Sequence, residues 1–257
     1  MTRIIAIANQ KGGVGKTTTA VNLAAALAQA GKRTLLVDMD PQGNATSGLG
    51  LKKESNSPGI YEALLGDVPA GEILRETEIE ELLVAPSSVD LAGAEIELVG
   101  LPHREKRLER VLRQCEGDFS FILVDCPPSL GLLTLNALAA VHSVLVPIQC
   151  EFYALEGLTK LMNTLQLVRR DINPSLVVEG VLLTMYDGRT NLSNQVAEEV
   201  RRYFKDKVYR TPIPRNVRLS EAPSYGQPIQ LYDPDCAGAV AYQALSKEIL
   251  AEKGGEG

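Results

Sequence analysis

The residues best suited to chemistry are ten in a row, Asn9-Gln10-Lys11-Gly12-Gly13-Val14-Gly15-Lys16-Thr17-Thr18. Glycines here let the backbone N–H groups of residues 12–17 curl around phosphate oxygens, and a helix opening behind them adds its positive end. Lys16 supplies a point charge for β- and γ-phosphates, and the Thr17 hydroxyl is placed to ligate Mg²⁺. The usual pattern, G-x-x-x-x-G-K-[ST], asks for glycine at position 10, where this chain has Gln10. A second lysine, Lys11, lies five residues before Lys16. Two lysines in one tight loop cannot readily serve the same phosphates from one side. Lys11 therefore reads either as a solvated loop charge, as most charges are, or as a cation that leaves its own subunit to reach nucleotide held by a partner.

Three carboxylates are spaced to complete such a site. Asp125 ends the apolar run 119–124, a hydrophobic strand carrying an acid at its tip toward a metal. Asp38 and Asp40 follow the apolar run 33–37, beyond the carboxyl end of a strand, where open α/β sheets bind ligands. Pro41 and Gly43 break that strand and put Asp40 on a loop.

The elements that must position these groups follow from hydrophobic patterning. Apolar, β-branched runs at 4–8, 33–37, 82–86, 119–124, 141–149 and 177–183 predict strands, and 208–213 predicts one more. Helices are predicted over 19–30, ending at Gly31, and over 60–65, 105–115, 155–169, 196–204 and 237–250. In the 155–169 segment the stripe Leu158, Leu161, Met162, Leu165 and Val168 predicts a core-facing helix. Residues 52–81 are the least informative stretch. Strands alternating with helices, without repeats or a low-complexity linker, predict one doubly wound, mostly parallel α/β domain over 1–257, with 251–257 as a flexible tail.

Composition narrows the function classes. The chain has 257 residues, 45% of them hydrophobic, and no apolar run approaches the length of a membrane-spanning helix. Strand one begins almost at Met1, which leaves no room for a signal peptide. The four cysteines, Cys115, Cys126, Cys150 and Cys236, lack metal-site spacing and read as buried thiols of a reduced cytoplasmic protein. Neither His103 nor His142 has ligand-like neighbours. The net charge of −6 conceals a basic stretch: residues 201–218 hold seven cations against Asp206 alone. Arg201, Arg202, Lys205, Lys207, Arg215 and Arg218, with Arg189 on a preceding loop, read either as a solvated face or as a DNA-binding surface. No recognition helix or aromatic cluster accompanies them, so the contact would be with phosphates, independent of sequence.

The string K-G-G-V-G-K-T-T is a deviant Walker A motif, and its surroundings resemble the ParA/Soj family of chromosome-partitioning ATPases. The resemblance continues through residues 36–44 (LVDMDPQGN), 123–129 (LVDCPPS) and 212–223 (PIPRNVRLSEAP), so it covers nearly the whole chain. It implies a P-loop sheet flanked by helices on both faces, with ATP and Mg²⁺ as ligands. It implies catalytic roles for Lys11, Lys16, Asp40 and Asp125, with metal held by Thr17 directly and by Asp125 through water. Asp40 resembles the family's catalytic switch aspartate; Asp38 is the alternative, or else a buried support for the loop. Pro214 and Asn216 fall where the family holds the adenine. An ATP-dependent homodimer is implied, in which each Lys11 neutralises the neighbour's nucleotide. Non-specific double-stranded DNA and a ParB/Spo0J-type centromere-binding protein are the implied partners, in the bacterial cytoplasm on the nucleoid. A MinD-like, membrane-cycling regulator shares the deviant loop but should end in a basic amphipathic helix; this chain ends in an acidic, glycine-rich segment. An iron–sulfur reductase needs bridging cysteines that are not present.

Overall fold

Aliphatic runs that are buried on both faces assemble side by side as a parallel sheet. The computed structural model describes residues 2–52, 57–151 and 156–251, apart from the side chains of 156–159. Residues 53–56 of the 52–81 stretch, Leu155, Leu158 of the anticipated stripe and the tail residues 252–257 lie outside them. The strands are β1 (Arg3–Ile7), β2 (Thr34–Asp38), β3 (Arg75–Glu76), β4 (Leu82–Ala85), β5 (Phe121–Asp125), β6 (Ser143–Gln149) and β7 (Val177–Thr184). Their spatial order is β3-β4-β2-β5-β1-β6-β7, and every pair is parallel except the short edge pair β3–β4.

Alternation along each central strand divides its side chains between two cores. Ile4, Ala6, Leu35, Val37, Ile122 and Val124 enter one; Ile5, Ile7, Leu36 and Leu123 enter the other. Helices 60–65, 91–97, 107–113, 132–140, 156–171 and 191–204 cover the first face. The second is covered by Lys16–Gln29 and Ala237–Ala251. Alanines at 20, 24, 25 and 28 let the first helix lie close against the sheet and its partner helix. Thr19 and Tyr242 join the two helices by a hydroxyl–hydroxyl hydrogen bond of 3.2 Å. This is the doubly wound architecture that the alternation of runs predicts.

Register fixes the functional end. Ile7 and Asp38 each pair with Asp125, so the phosphate-loop entrance and two carboxylates emerge at one level from adjacent strands.

Several elements depart from expectation for identifiable reasons. Residues 208–213, predicted as a strand, and the following Pro214 make only single bridges, Val181 with Val208 and Tyr186 with Pro214. Pro212 and Pro214 have no N–H to donate, so this segment cannot extend a ladder. The Leu132–Ala140 helix was not anticipated, because LLTLNALAA is apolar on nearly every side and has no amphipathic period. Leu91–Glu97, a short helix containing the weak helix former Gly93, was also missed. The 105–115 helix is a 3₁₀ turn, Arg104–Lys106, followed by Arg107–Arg113. The basic helix starts earlier than expected, at Asn191, where the Thr190 hydroxyl accepts from the Ser193 N–H at 3.3 Å.

One close approach ties the periphery to the loop that carries Asp40. Gly50 and Gly226 have φ of 79° and 66°, and a Cβ on Gly226 would lie 2.8 Å from Gly50 Cα. Gly226→Ala adds left-handed strain to a backbone clash, and is expected to cost about 2 kcal/mol or more in urea unfolding.

Candidate active site

The phosphate loop is held by side chains from neighbouring strand ends. The Asn9 amide donates to the Pro147 carbonyl at 2.7 Å, and its Oδ1 accepts from the Lys11 N–H at 3.0 Å. The Thr184 hydroxyl donates to the Val14 carbonyl at 2.8 Å. Gly15, at φ 84°, forms the N-terminal boundary of the Lys16–Gln29 helix, a conformation that favours glycine. Gly12 and Gly13 are exposed, and a Cβ on either would meet no atom within 4 Å.

Lys16 is buried within this loop, and its ammonium donates to the Lys11 carbonyl at 3.2 Å. Burial lowers its pKa, and Asp125 is the foremost of the groups that oppose the shift. Asp40 also acts on Lys16, so both acids lie within reach of its charge.

Asp125 is wholly buried, and neither carboxylate oxygen has a hydrogen-bond partner among the described residues. Burial drives its pKa well above the ordinary carboxylate range, and the nearby Asp38 charge adds to this. The Thr17 hydroxyl lies near enough to favour the ionised form, though the contact falls short of a well-formed hydrogen bond. Two bare oxygens beside a threonine hydroxyl are the donor chemistry of a hard divalent cation or its bound water. The residues present therefore fit Mg²⁺ beside a phosphate.

The other two carboxylates divide differently. Asp38 is fully buried and satisfied: one oxygen accepts from the Asp40 N–H, and the other from the N–H and hydroxyl of Thr46 at 2.8 and 2.7 Å. Its pKa is nonetheless raised to about 6, because burial outweighs these bonds. Asp40 uses one oxygen to accept from the Gln42 N–H at 2.9 Å. Its own carbonyl accepts from the Ser87 hydroxyl at 2.8 Å, while the Ser87 N–H donates to the Thr46 hydroxyl. Asp38 thus holds the loop that carries Asp40. Thr46, Ser87 and Thr184, none of them anticipated, complete the scaffold. Their only sequence signal is position: Thr184 ends a strand and Ser87 lies just beyond one, while Thr46 sits in the short Asn44–Gly48 helix after the Asp40 loop.

A cavity of about 320 Å³ adjoins the loop, lined among others by Gly15, Thr18, Pro214, Asn216 and Tyr242. Pro214 and Asn216 are therefore beside the phosphate loop. The Asn216 Oδ1 is occupied in capping the Val217–Glu221 helix through the Arg218 N–H.

The basic residues form two classes that their sequence spacing does not distinguish. Arg189 pairs in bidentate fashion with Asp187, whose pKa it holds down at about 2. Arg215 pairs with Glu151, and Arg218 with Glu221 and Asp233. Arg201, Arg202, Lys205 and Lys207 are exposed and make no ion pair among the described residues. The excess charge of the 201–218 stretch is thus concentrated at the end of the Asn191–Phe204 helix. Cys115, Cys126 and Cys150 are buried and Cys236 half-buried, all as free thiols.

Comparison with known proteins places this geometry in context. The family described as AAA domain matches residues 2–178. The sporulation initiation inhibitor protein Soj of Bacillus subtilis is 59% identical, with 98% of this chain and 99% of that protein covered. The chromosome partitioning protein ParA of Myxococcus xanthus is also 59% identical, covering 96% of this chain and 88% of that one. Among solved structures, cobyrinic acid a,c-diamide synthase from Mycobacterium smegmatis with bound ADP and magnesium superimposes with a TM-score of 0.87. It is 40% identical, with 99% and 96% of the two chains covered. The septum site-determining protein MinD of Pyrococcus horikoshii, complexed with Mg-ADP, gives 0.82 at 27% identity, covering 99% and 98%.

Burial raises the pKa of both Asp38 and Asp125, so the folded protein binds protons more tightly than the unfolded chain. The cost is fully present above the folded pKa and is relieved as pH falls through it. Ligand-free protein in EDTA is expected to gain about 1 kcal/mol in chemical denaturation between pH 7 and pH 5. Asp125→Asn should be more stable than the parent at pH 7, gain less on acidification, and lose magnesium-dependent stabilisation by nucleotide.

Proposed function

The chain belongs to the ParA/Soj family of chromosome-partitioning ATPases, and on that footing we propose that it hydrolyses ATP with Mg²⁺ to switch between DNA-bound and free forms. The observation that carries this proposal is the meeting of buried Lys16 with the unpartnered oxygens of Asp125 before a glycine loop. Lys16 and the N–H groups of residues 12–17 bind and orient the phosphates. Thr17 and Asp125 would hold the metal, Asp125 through a water. Magnesium, when bound, supplies charge neutralisation across the phosphate oxygens. Asp40, on a loop fixed by Asp38, Thr46 and Ser87, orients and accepts a proton from the attacking water. Pro214 and Asn216 border the space for the base. Hydrolysis is slow until a ParB/Spo0J-type partner stimulates it.

Dimerisation follows from charge. Phosphates at the loop mouth remain negative, and two such mouths repel unless each receives a cation from the opposite subunit. Lys11 is that cation, and an isologous two-fold contact lets both lysines act at once. Two patches of Arg201, Arg202, Lys205 and Lys207 then face DNA together, and avidity makes binding conditional on ATP. Arg189, Arg215 and Arg218 join them at the cost of their carboxylate partners. The protein works in the bacterial cytoplasm, on the nucleoid.

A MinD-like membrane cycle is the less supported alternative. The Ala237–Ala251 helix buries Ala239, Tyr242, Leu245 and Ile249 in the core instead of presenting them to lipid. No helix among the described residues is long and apolar enough to cross a membrane.

In light scattering with ATP, Lys11→Ala is expected to bind nucleotide and stay monomeric. Gly12→Val should do the same with an unchanged melting temperature, since a side chain there meets nothing within its own subunit. ATP-driven dimers of either variant would contradict the shared-lysine contact. Arg201→Glu combined with Lys205→Glu should lower DNA affinity about tenfold or more at low salt and flatten its salt dependence. Arg218→Glu should also weaken DNA binding while sparing ATP binding.

A further inference from the structure

Beside the segment that follows Asp125 lies a groove of about 300 Å³, lined by the apolar side chains of Val99, Leu130, Leu132, Leu135 and Leu138 together with Arg104 and Thr164. Its floor is the Leu132–Ala140 helix, and its walls carry the Leu98–Gly100 turn and the Glu156–Asp171 helix. Val99 and Leu130 are 55% and 43% exposed, and exposed apolar surface continues to Ile96 at 79% and Leu167 at 52%. Ile96 is one turn from Val99, and Leu167 one turn from Thr164, so these side chains extend the same trough.

A charge lies beside this surface, over the lining residue Gly131. The Glu95 carboxylate lies so close over Gly131 that any side chain at that position would overlap it. Gly131 precedes the Leu132–Ala140 helix, whose amino end favours an anion. Even so, the buried Glu95 Oε1 has no hydrogen-bond partner among the described residues. A buried, unsatisfied carboxylate oxygen is costly, and a cation brought from outside would relieve it.

We propose that this groove docks a short amphipathic segment of a partner protein, with apolar side chains in the trough and a Lys or Arg paired to Glu95. The proposal rests on the partitioning function above and identifies the face through which the stimulating partner acts. A second copy of this chain is a poor occupant. The chain carries a net charge of −6, so a second copy is repelled overall. A basic segment is attracted by that net charge, and Arg104 on the groove's lining is turned to the Val99 carbonyl at 3.1 Å.

The groove is also mechanically joined to the active site. Only residues 126–131 separate Asp125 from the groove floor, and the Thr134 hydroxyl donates to the Ser129 carbonyl at 2.6 Å. A segment seated over Leu130 and Glu95 therefore fixes the connection that leaves the metal-facing carboxylate.

The test uses the full chain, ATP, Mg²⁺, DNA and the purified cognate ParB-type protein. Glu95→Gln, Glu95→Lys and Val99→Asp are compared with the parent for basal turnover, ATP-dependent dimerisation and stimulated turnover. All three are expected to keep basal turnover and dimerisation within twofold. Stimulation should require at least tenfold more partner for Glu95→Lys and Val99→Asp, and an intermediate excess for Glu95→Gln. A benzoylphenylalanine photo-crosslinker replacing Val99 should capture the ParB-type protein. Parent-like stimulation of all three variants, or capture of a second copy of this chain instead, overturns the groove as the docking face. If the parent itself is not stimulated, the partitioning function fails and the groove proposal falls with it.

Discussion

Uncompensated negative charge buried behind the phosphate loop is the constraint on which the rest of the structure turns. Asp125 and Asp38 occupy paired positions on adjacent strands, both fully buried, with Asp40 two residues beyond. One lysine, Lys16, faces this concentration of carboxylates, and burial weakens its own charge. Desolvated acids at such distances raise one another's pKa, and the pull of a divalent cation is the natural relief. The ligand-free molecule is thus held in a costly electrostatic state. That cost becomes affinity once positive charge arrives.

The scaffold around this charge explains how a loop can be both tense and well positioned. Asp38 spends its hydrogen-bonding capacity on the Asp40 N–H and on Thr46, and Thr46 passes the connection to Ser87. Ser87 closes the circuit on the Asp40 carbonyl. Asp40 therefore has a fixed backbone and a carboxylate only partly committed, through Gln42. The phosphate loop is braced in the same manner from Pro147 and Thr184. Rigid strand ends supply the precision, and side chains on loops supply the chemistry.

Much of this was legible in the residue order, because apolar runs and a glycine-rich turn leave strong local signals. The six parallel strands, the loop and the acids at strand ends all follow from such patterns. What escaped was long-range or featureless. Leu132–Ala140 is buried on so many sides that it has no polar face to reveal its period. Residues 208–213 are apolar enough to suggest a strand, but Pro212 has no N–H, and those of Arg210 and Thr211 donate to Glu248 instead of a neighbouring strand. The basic stretch shows the other limit: charge counted along the chain overlooks Glu151 and Asp233, which reach Arg215 and Arg218 only after folding. Thr46, Ser87 and Thr184 are ordinary hydroxyls until the sheet brings them to one end.

The Thr184 hydroxyl on the Val14 carbonyl has a consequence for how the molecule breathes. β7 is the last strand on its side of the sheet, and beyond it the 208–214 segment adds only isolated bridges. Here that margin is tethered directly to the cradle of the nucleotide. Fraying of the border and loosening of the grip on phosphate are therefore coupled, and cargo in the cradle is expected to quiet amide exchange along the strand that ends at Thr184.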